Sequence, residues 1–117
     1  MTAMWKYATA AAGACALLTV TAGTARAADA AATYKAKCQM CHGADGSGSA
    51  AGKRLGAKDL RAPDVAKSPD TQLIETTKKG RNKMPSFDQK LTEQEITDVV
   101  KYLRTLKESA PVNADER

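Results

Sequence analysis

Large aromatic side chains are scarce in this chain of 117 residues, which contains one tryptophan, one phenylalanine and three tyrosines. The chain also contains only three cysteines and one histidine. The longest apolar run falls short of the roughly 20 apolar residues that span a bilayer. A small domain with so few large side chains buries only about 60% of its unfolded surface and is marginally stable alone. The composition therefore predicts a further source of stability.

The first 27 residues have the pattern of a secretory signal peptide. Lys6 supplies a positive start, and Tyr7 to Val20 form an uncharged, largely apolar stretch. Ala25-Arg26-Ala27 matches an A-x-A cleavage site. The alternative is a retained membrane anchor, but the stretch is short and rich in Ala, Thr and Gly. Cys15 could suggest a lipoprotein, but the residues before it lack the usual leucine, so we expect no lipidation.

This pattern predicts three segments: a signal peptide over 1–27, a single domain over 28–108 and a flexible tail over 109–117. The domain would be exported to the periplasm, with no stable membrane insertion after cleavage. Its net charge would be +3, because the signal removes two basic residues and no acidic one from a chain of formal charge +5. Such a modest charge gives no reason to expect nucleic acid as a partner.

The motif Cys38-Gln39-Met40-Cys41-His42 is the attachment pattern of c-type heme. Positions i, i+3 and i+4 of a helix lie on one face, so the two thiols and the imidazole would meet one side of the macrocycle. A disulfide between Cys38 and Cys41 would close a tiny loop and stabilise little. The motif therefore predicts one covalently attached heme c, which would also supply the missing core.

The other side of the iron needs a second ligand or an open position. Two-histidine ligation is excluded within one chain, since His42 is the single histidine. Met1 and Met4 belong to the signal, and Met40 lies between the attachment cysteines. Met84 is thus the remaining candidate, and the following proline stiffens its backbone. The alternative role for Met84 is a core residue that fills a gap, but the upstream motif favours the ligand role.

Three helices and a glycine-rich loop are expected in the exported domain, with no strand. The first helix covers Asp29 to Cys41, and five of the eight glycines then fall between Gly43 and Gly56 in what we expect to be a surface loop. Ser68-Pro69-Asp70 predicts the start of a second helix, with Ser68 as its cap. Gly80 fits the C-terminal cap of that helix.

The third helix has the clearest pattern. Thr92 and Glu95 have the spacing of a capping box. An apolar stripe at helical spacing follows, formed by Ile96, Val99, Val100, Leu103 and Leu106. Tyr102 lies beside this stripe.

With these features the chain resembles a small class I bacterial cytochrome c with one heme. The resemblance covers Tyr34 before the Cys38–His42 motif, Gly80 before Met84, and the closing amphipathic helix. It implies an all-α class I cytochrome c fold, with three to five short helices around the heme and the terminal helices packed across each other. The family often has a glycine at that crossing, where this chain offers Ala30, Ala31 and Ala32.

The resemblance also implies the roles of the site residues and the function. Cys38 and Cys41 would form the thioethers, with His42 as the proximal and Met84 as the distal iron ligand. The protein would be a single-electron carrier that cycles between Fe(III) and Fe(II), and not an enzyme. Its partners would be redox proteins, for which the basic cluster Lys78, Lys79, Arg81 and Lys83 is a candidate docking face. Alternatively, that cluster is solvated or pairs with heme propionates.

Other functions of the same residues are less well supported. In thiol-based redox proteins without heme, the C-x-x-C motif normally follows a strand and lies at the start of a helix. Here the preceding segment is helical in composition. A structural zinc site needs four ligands, and two cysteines with one histidine give three. The glycines lack the spacing of a phosphate-binding loop. The remaining alternative is a redox or metal-binding protein that uses the Cys38–Cys41 pair without heme.

The exported protein should begin at Ala28 and carry one covalent heme, as the cleavage site and the heme motif together indicate. Its intact mass after denaturation should therefore equal that of residues 28–117 plus one heme. A full-length mass would contradict the cleavage, and loss of heme on denaturation would contradict the covalent attachment.

Overall fold

The structure is a computed structural model that describes residues 22–106, and these residues form six helices. They are α1 Ala22–Lys37, α2 Gln39–His42, α3 Ala50–Arg54, α4 Pro63–Lys67, α5 Asp70–Lys79 and α6 Glu93–Leu106. Within this range β-type pairing is limited to one isolated bridge, between Arg81 and Met84. The expected all-α class is confirmed. The six helices exceed both the three segments expected from the sequence and the three to five that the resemblance implies.

Helix α6 begins and packs as its sequence indicates. The backbone N–H of Thr92 donates to the Glu95 carboxylate at 2.7 Å, and the Glu95 N–H donates to the Thr92 hydroxyl at 3.2 Å. This reciprocal pair confirms the capping box. All five residues of the apolar stripe are buried. Burial of side chains of this size contributes about 1.5–3 kcal/mol each to folding.

Helix α1 packs across α6 and forms the main contact between the two ends of the domain. Ala30 is only 4% exposed, so a small residue lies on the packed face of α1. One turn further on, Tyr34 is 2% exposed and joins the buried cluster around Val100. Its ring centroid lies 5.4 Å from that of Tyr102 in a tilted arrangement. The expected packing of the terminal helices is therefore confirmed.

The first helix differs from its predicted bounds at both ends. It already includes Ala22, the first residue that the structure describes, so the predicted cleavage site at Ala25-Arg26-Ala27 lies within α1. It ends at Lys37, and Cys38 separates it from the short α2, with a φ of −115°. The hydrogen bonds continue through this junction, since Cys38 N–H donates to Tyr34 O and His42 N–H donates to Cys38 O. The motif is thus nearly helical, with a local turn at its first cysteine.

The start of α5 corrects one prediction. Ser68 does not cap this helix: its hydroxyl donates back to the carbonyl of Asp64 at 2.8 Å, and the cap position is occupied by Pro69 without a side-chain hydrogen bond. Four-residue back-bonding of this kind is a common alternative for serine. The other end agrees with expectation, because Gly80 closes α5 with a φ of 75° and an N–H bond to Thr76 O.

Arg104 on α6 ties the short helix α4 and the start of α5 to the core. Its guanidinium donates to the carbonyls of Val65, Ala66 and Ser68 at 3.0, 3.2 and 2.5 Å. It also pairs with the Asp70 carboxylate at 2.8 Å. One side chain thereby supplies a donor to the carbonyls of Ala66 and Ser68 at the end of α4, and a second donor to that of Val65, which also accepts from the Ser68 N–H.

No helix in the described range is long and apolar enough to cross a membrane. The apolar stretch of the predicted signal peptide and the predicted tail over 109–117 lie outside the described residues.

Replacing Arg104 should destabilise the protein more than its ion pair alone accounts for. Arg104→Ala removes a charged donor from three carbonyls, and we expect a loss of about 1–3 kcal/mol in the free energy of unfolding. Asp70→Asn is the control, because it removes only a half-exposed ion pair, for which about 1 kcal/mol or less is expected. Denaturant unfolding of the holoprotein measures both. Equal losses would show that the carbonyl contacts contribute nothing.

Candidate functional site

The junction between α1 and α2 brings together three of the four predicted site residues. Cys38 occupies the turn between the helices, while Cys41 and His42 lie in α2. All three are partly buried, and neither cysteine is in a disulfide. Cys38 also packs against the buried cluster that contains Tyr34 and Leu103. The attachment motif is therefore joined to the core at its first cysteine.

The His42 ring is held through one of its nitrogens. Nδ1 lies 3.1 Å from the carbonyl oxygen of Lys58. A carbonyl can only accept, so Nδ1 carries the proton in this contact, and the lone pair of Nε2 remains available for a metal. Histidines that bind metals commonly have such a second contact, which fixes the orientation of the ring.

The segment that carries Lys58 is fixed to the glycine-rich segment. The Leu60 N–H donates to Gly46 O at 2.8 Å. Arg61 contacts the carboxylate of Asp59 at 3.2 Å and that of Asp45 at 3.6 Å. The hydrogen bond from Arg61 lowers the pKa of Asp59. For Asp45, hydrogen bonds from Ser47 are the main cause of a lowered pKa. These contacts support the carbonyl that orients His42.

The glycine-rich segment is not the surface loop that the sequence indicated. It contains α3, and this helix packs against the backbone of the attachment motif. The N–H of Ser49 donates to Cys41 O at 3.0 Å, and the Ser49 hydroxyl donates to Met40 O at 2.6 Å. The same hydroxyl oxygen accepts from the Gly52 N–H and so caps α3. A Cβ on Gly52 would lie 1.8 Å from Cys41 O, so only glycine fits there.

Sequence reasoning missed Ser49 and Gly52 as residues that support the site. A signal for the helix was available, because Ser49 precedes two alanines and serine is a preferred N-cap. The close approach of Gly52 to Cys41 depends on how α3 packs and has no local signature.

Tyr34 links the helix crossing to the end of the motif. Its hydroxyl donates at 2.7 Å to the carbonyl oxygen of Gly43, which is the residue that follows His42. Burial is the main cause of a raised pKa for this phenol, so it remains a neutral donor. Tyr34 therefore holds the C-terminal end of the motif through its hydroxyl. Its ring packs one helical turn before Cys38, at the N-terminal end of the motif.

Burial raises the pKa of the Cys38 thiol to about 11. Thiol-based redox proteins need the opposite shift, because the thiolate is their reactive form. Within residues 22–106, no three His, Cys, Asp or Glu side chains converge as a metal-ion site requires. The site thus offers the partly buried thiol of Cys38, the free thiol of Cys41 and one oriented imidazole, a set of groups that suits thioether attachment of heme.

Met84 lies in a backbone-anchored loop between α5 and α6. The N–H and carbonyl groups of Arg81 and Met84 pair at 3.1 and 2.9 Å. Gly80 precedes this turn at a φ of 75°, and a Cβ there would lie 2.6 Å from Met84 O. The Phe87 N–H then donates to Thr77 O at 3.2 Å. These contacts hold a half-buried Met84 in a defined loop, and its role as an iron ligand stays a prediction.

The basic cluster near Met84 is partly neutralised. Lys78 Nζ lies 3.7 Å from the Glu93 carboxylate, and Lys79 pairs with Glu75 one turn earlier on α5. A hydrogen bond that the Lys79 ammonium donates is the main cause of the lowered pKa of Glu75. Arg81 and Lys83 are exposed and form no ion pair within the described part of the chain.

A cavity of about 350 Å³ lies elsewhere, between the start of α1 and the outer face of α6. Its walls include Gly23, Arg26 and Ala27, which belong to the predicted signal peptide, and none of the four predicted site residues. We therefore assign no heme to it.

Fold and site together define a c-type cytochrome. The comparisons with known proteins agree: the family described as cytochrome c oxidase, cbb3-type, subunit III matches residues 25–103. The chain belongs to this cytochrome c family, whose members carry covalently bound heme c. It is a small monoheme cytochrome c with an electron-carrying heme.

Solved structures support the same assignment. The chain is similar to the c-type cytochrome KustC0563, with 32% identity and a TM-score of 0.64 over 68% of this chain and 98% of that one. A mutant of that cytochrome gives 31% identity and a TM-score of 0.62, covering 68% of this chain and 99% of the other. The comparison with curated proteins finds no match.

Gly52→Ala should impair heme attachment, because the added Cβ would displace α3 from the carbonyl of Cys41. We expect a lower fraction of heme-loaded protein after expression and at least about 2 kcal/mol lower stability of what is loaded. Gly56→Ala is the control, since its Cβ would meet open space and only the positive φ of 79° is strained, at about 1 kcal/mol. Heme absorbance per protein measures the loading. Equal loading in both variants would contradict the packing role of Gly52.

Proposed function

We propose that this cytochrome is a periplasmic single-electron carrier whose heme is attached through Cys38 and Cys41 and ligated by His42 and Met84. The observation that carries the proposal is the bond from His42 Nδ1 to Lys58 O, which leaves Nε2 available beside two free thiols. This combination suits a heme that is tethered and ligated from the same side.

The apolar surroundings of the site also fit the group. Leu60, Leu73 and Ile74 pack against the buried cluster next to Cys38 and remain only partly buried. A chain with so few aromatic residues gains core from a large apolar macrocycle placed against such side chains. We infer that these three residues contact the heme.

Heme bound in this way supplies an iron that takes up and releases one electron. The residues of the chain decide whether a small substrate could also bind to the iron. His42 and Met84 would occupy both axial positions, so no position is left for a small substrate, and this arrangement supports a carrier and not an enzyme. A thioether ligand stabilises the ferrous state and raises the reduction potential.

The anchored surroundings of both ligands favour rapid transfer. His42 is held by Lys58, and the Met84 loop is held by Gly80 and by the bond from Phe87 to Thr77. Ligands fixed before the reaction move little when the charge on the iron changes. Preorganisation of this kind lowers the reorganisation that accompanies a reaction.

Export follows from the signal pattern of residues 1–27, and we propose that residues 28–108 form the working domain. Cleavage after Ala27 would leave the packed part of α1, including Ala30 and Tyr34, within the mature chain. The redox partners of such a carrier would be periplasmic proteins or the exposed domains of membrane proteins.

Met84→Ala should lower the reduction potential by on the order of 0.1 V, within the roughly 0.8 V range that axial ligands cover. Water or a nearby lysine would replace the thioether, and neither favours ferrous iron as sulfur does. Imidazole and cyanide should then bind readily, while the heme stays covalently attached. Redox titration and absorption spectra measure these changes.

Met40→Ala is the matched control, because Met40 is 80% exposed between the attachment cysteines and should leave spectrum and potential unaltered. If Met84→Ala kept the parent potential and spectrum, Met84 would be a core residue only, and the iron would have another ligand.

A further inference from the structure

The carbonyl that accepts from His42 lies outside the helices. Lys58 falls between the end of α3 and the start of α4, so no helix fixes the position of its carbonyl oxygen 3.1 Å from His42 Nδ1. The side chain of Lys58 is 63% exposed and pairs with Asp64, another surface group. Contacts from neighbouring residues must therefore hold this carbonyl in place.

Arg61 contacts two carboxylates with all three nitrogens of its guanidinium. Nε and Nη2 donate to the two carboxylate oxygens of Asp59, each at 3.2 Å. Nη1 lies 3.6 Å from Oδ2 of Asp45. The other oxygen of Asp45 accepts from the N–H and the hydroxyl of Ser47 at 3.0 and 2.7 Å. Arg61 thus forms a bridge between two carboxylates whose positions are themselves fixed.

The bridge connects the segment of the imidazole to the segment of its acceptor. Asp59 directly follows Lys58, and Asp45 lies three residues after His42. A planar guanidinium can donate in several fixed directions at once, whereas an ammonium is a compact point charge. The Arg61 side chain is only 26% exposed, so the bridge is partly shielded from water. It is therefore more constrained than an ordinary surface ion pair, which contributes little.

The strength of the hydrogen bond from His42 to Lys58 affects the iron through the imidazole. A carbonyl that accepts from the outer N–H of a metal-binding histidine makes the ring a more basic ligand. A more basic ligand favours ferric over ferrous iron and lowers the reduction potential. A carbonyl that is free to move away would have the opposite effect.

We propose that Arg61 is a positioning residue that sets the reduction potential of the heme iron by holding the Lys58 carbonyl against His42. The proposal rests on the heme ligation and the carrier function proposed above. Arg61 acts through the backbone: loss of its bridge would weaken the bond from Nδ1 and raise the potential. Loss of its charge alone would lower the potential, because a nearby positive charge disfavours ferric iron. The two effects have opposite signs and can be separated.

The first experiment is a redox titration of the holoprotein. Arg61→Lys keeps the charge but cannot contact both carboxylates as the guanidinium does. At a fixed applied potential, the ratio of ferrous to ferric protein should rise at least about threefold, or about 28 mV, since tenfold is 59 mV for one electron. Arg61→Gln also loses the charge, so its ratio should lie below that of Arg61→Lys.

Arg54→Lys is the matched control. Arg54 is exposed on α3 and forms no ion pair among the described residues, so its replacement should leave the ratio unchanged. An unchanged ratio in Arg61→Lys, with a lower one in Arg61→Gln, would show that Arg61 acts by charge alone. That result would overturn the positioning role.

The second experiment measures the hydrogen bond itself by NMR of the ferrous holoprotein. In Arg61→Lys, the His42 Nδ1–H should exchange with solvent at least about threefold faster, because the segment that covers it opens more often. The amides of Val99 and Val100 in α6 should exchange at the parent rate. Equal acceleration of these amides would reduce Arg61 to a contribution to general stability, and unaltered Nδ1–H exchange would also contradict the proposal. A protein without a reversible one-electron couple would instead contradict the carrier function itself.

Discussion

The crossing of α1 over α6 at Tyr34 is the contact on which the rest of the site depends. The ring is buried against Tyr102 and the apolar stripe of α6, while the hydroxyl donates to the carbonyl of Gly43. Because Cys38 follows one turn later and Gly43 follows His42, this residue constrains both ends of the attachment motif. The position of a heme attached to this motif would thereby be coupled to the packing of the terminal helices, and a helix shift would move thiols and imidazole together.

Backbone contacts, more than side-chain pairs, complete the site. Ser49 and Gly52 hold α3 against the carbonyls of the motif, and the carbonyl of Lys58 orients His42. On the other side, Gly80 allows the turn that carries Met84. Glycine and carbonyl contacts give short, defined distances without mobile side chains. This is a suitable basis for a carrier, in which both oxidation states should share one structure.

The features that the sequence predicted correctly are those with a local signature. The capping box at Thr92, the stripe of α6 and the cap at Gly80 follow from spacing alone, and the structure confirms them. Two other kinds of feature were missed. Ser68 can either cap α5 or bond back to Asp64, and spacing alone does not decide between these local alternatives. Gly52 meets Cys41 through the packing of α3, which is a tertiary contact. Likewise, the compensation of the lysines near Met84 depends on glutamates that include one from another helix.

The proposed carrier function depends most on His42 and Met84 as the two iron ligands. NMR of methyl-labelled methionine in the ferrous holoprotein tests this ligand pair most directly. The mature chain would contain two methionines, Met40 and Met84. A methyl group bound over the heme face experiences a strong ring current, so we expect one methyl signal to be shifted far upfield. Its loss in Met84→Ala would assign this signal to Met84. The Met40 methyl should keep an ordinary shift. Two ordinary shifts would contradict the ligand pair and, with it, the proposed carrier mechanism.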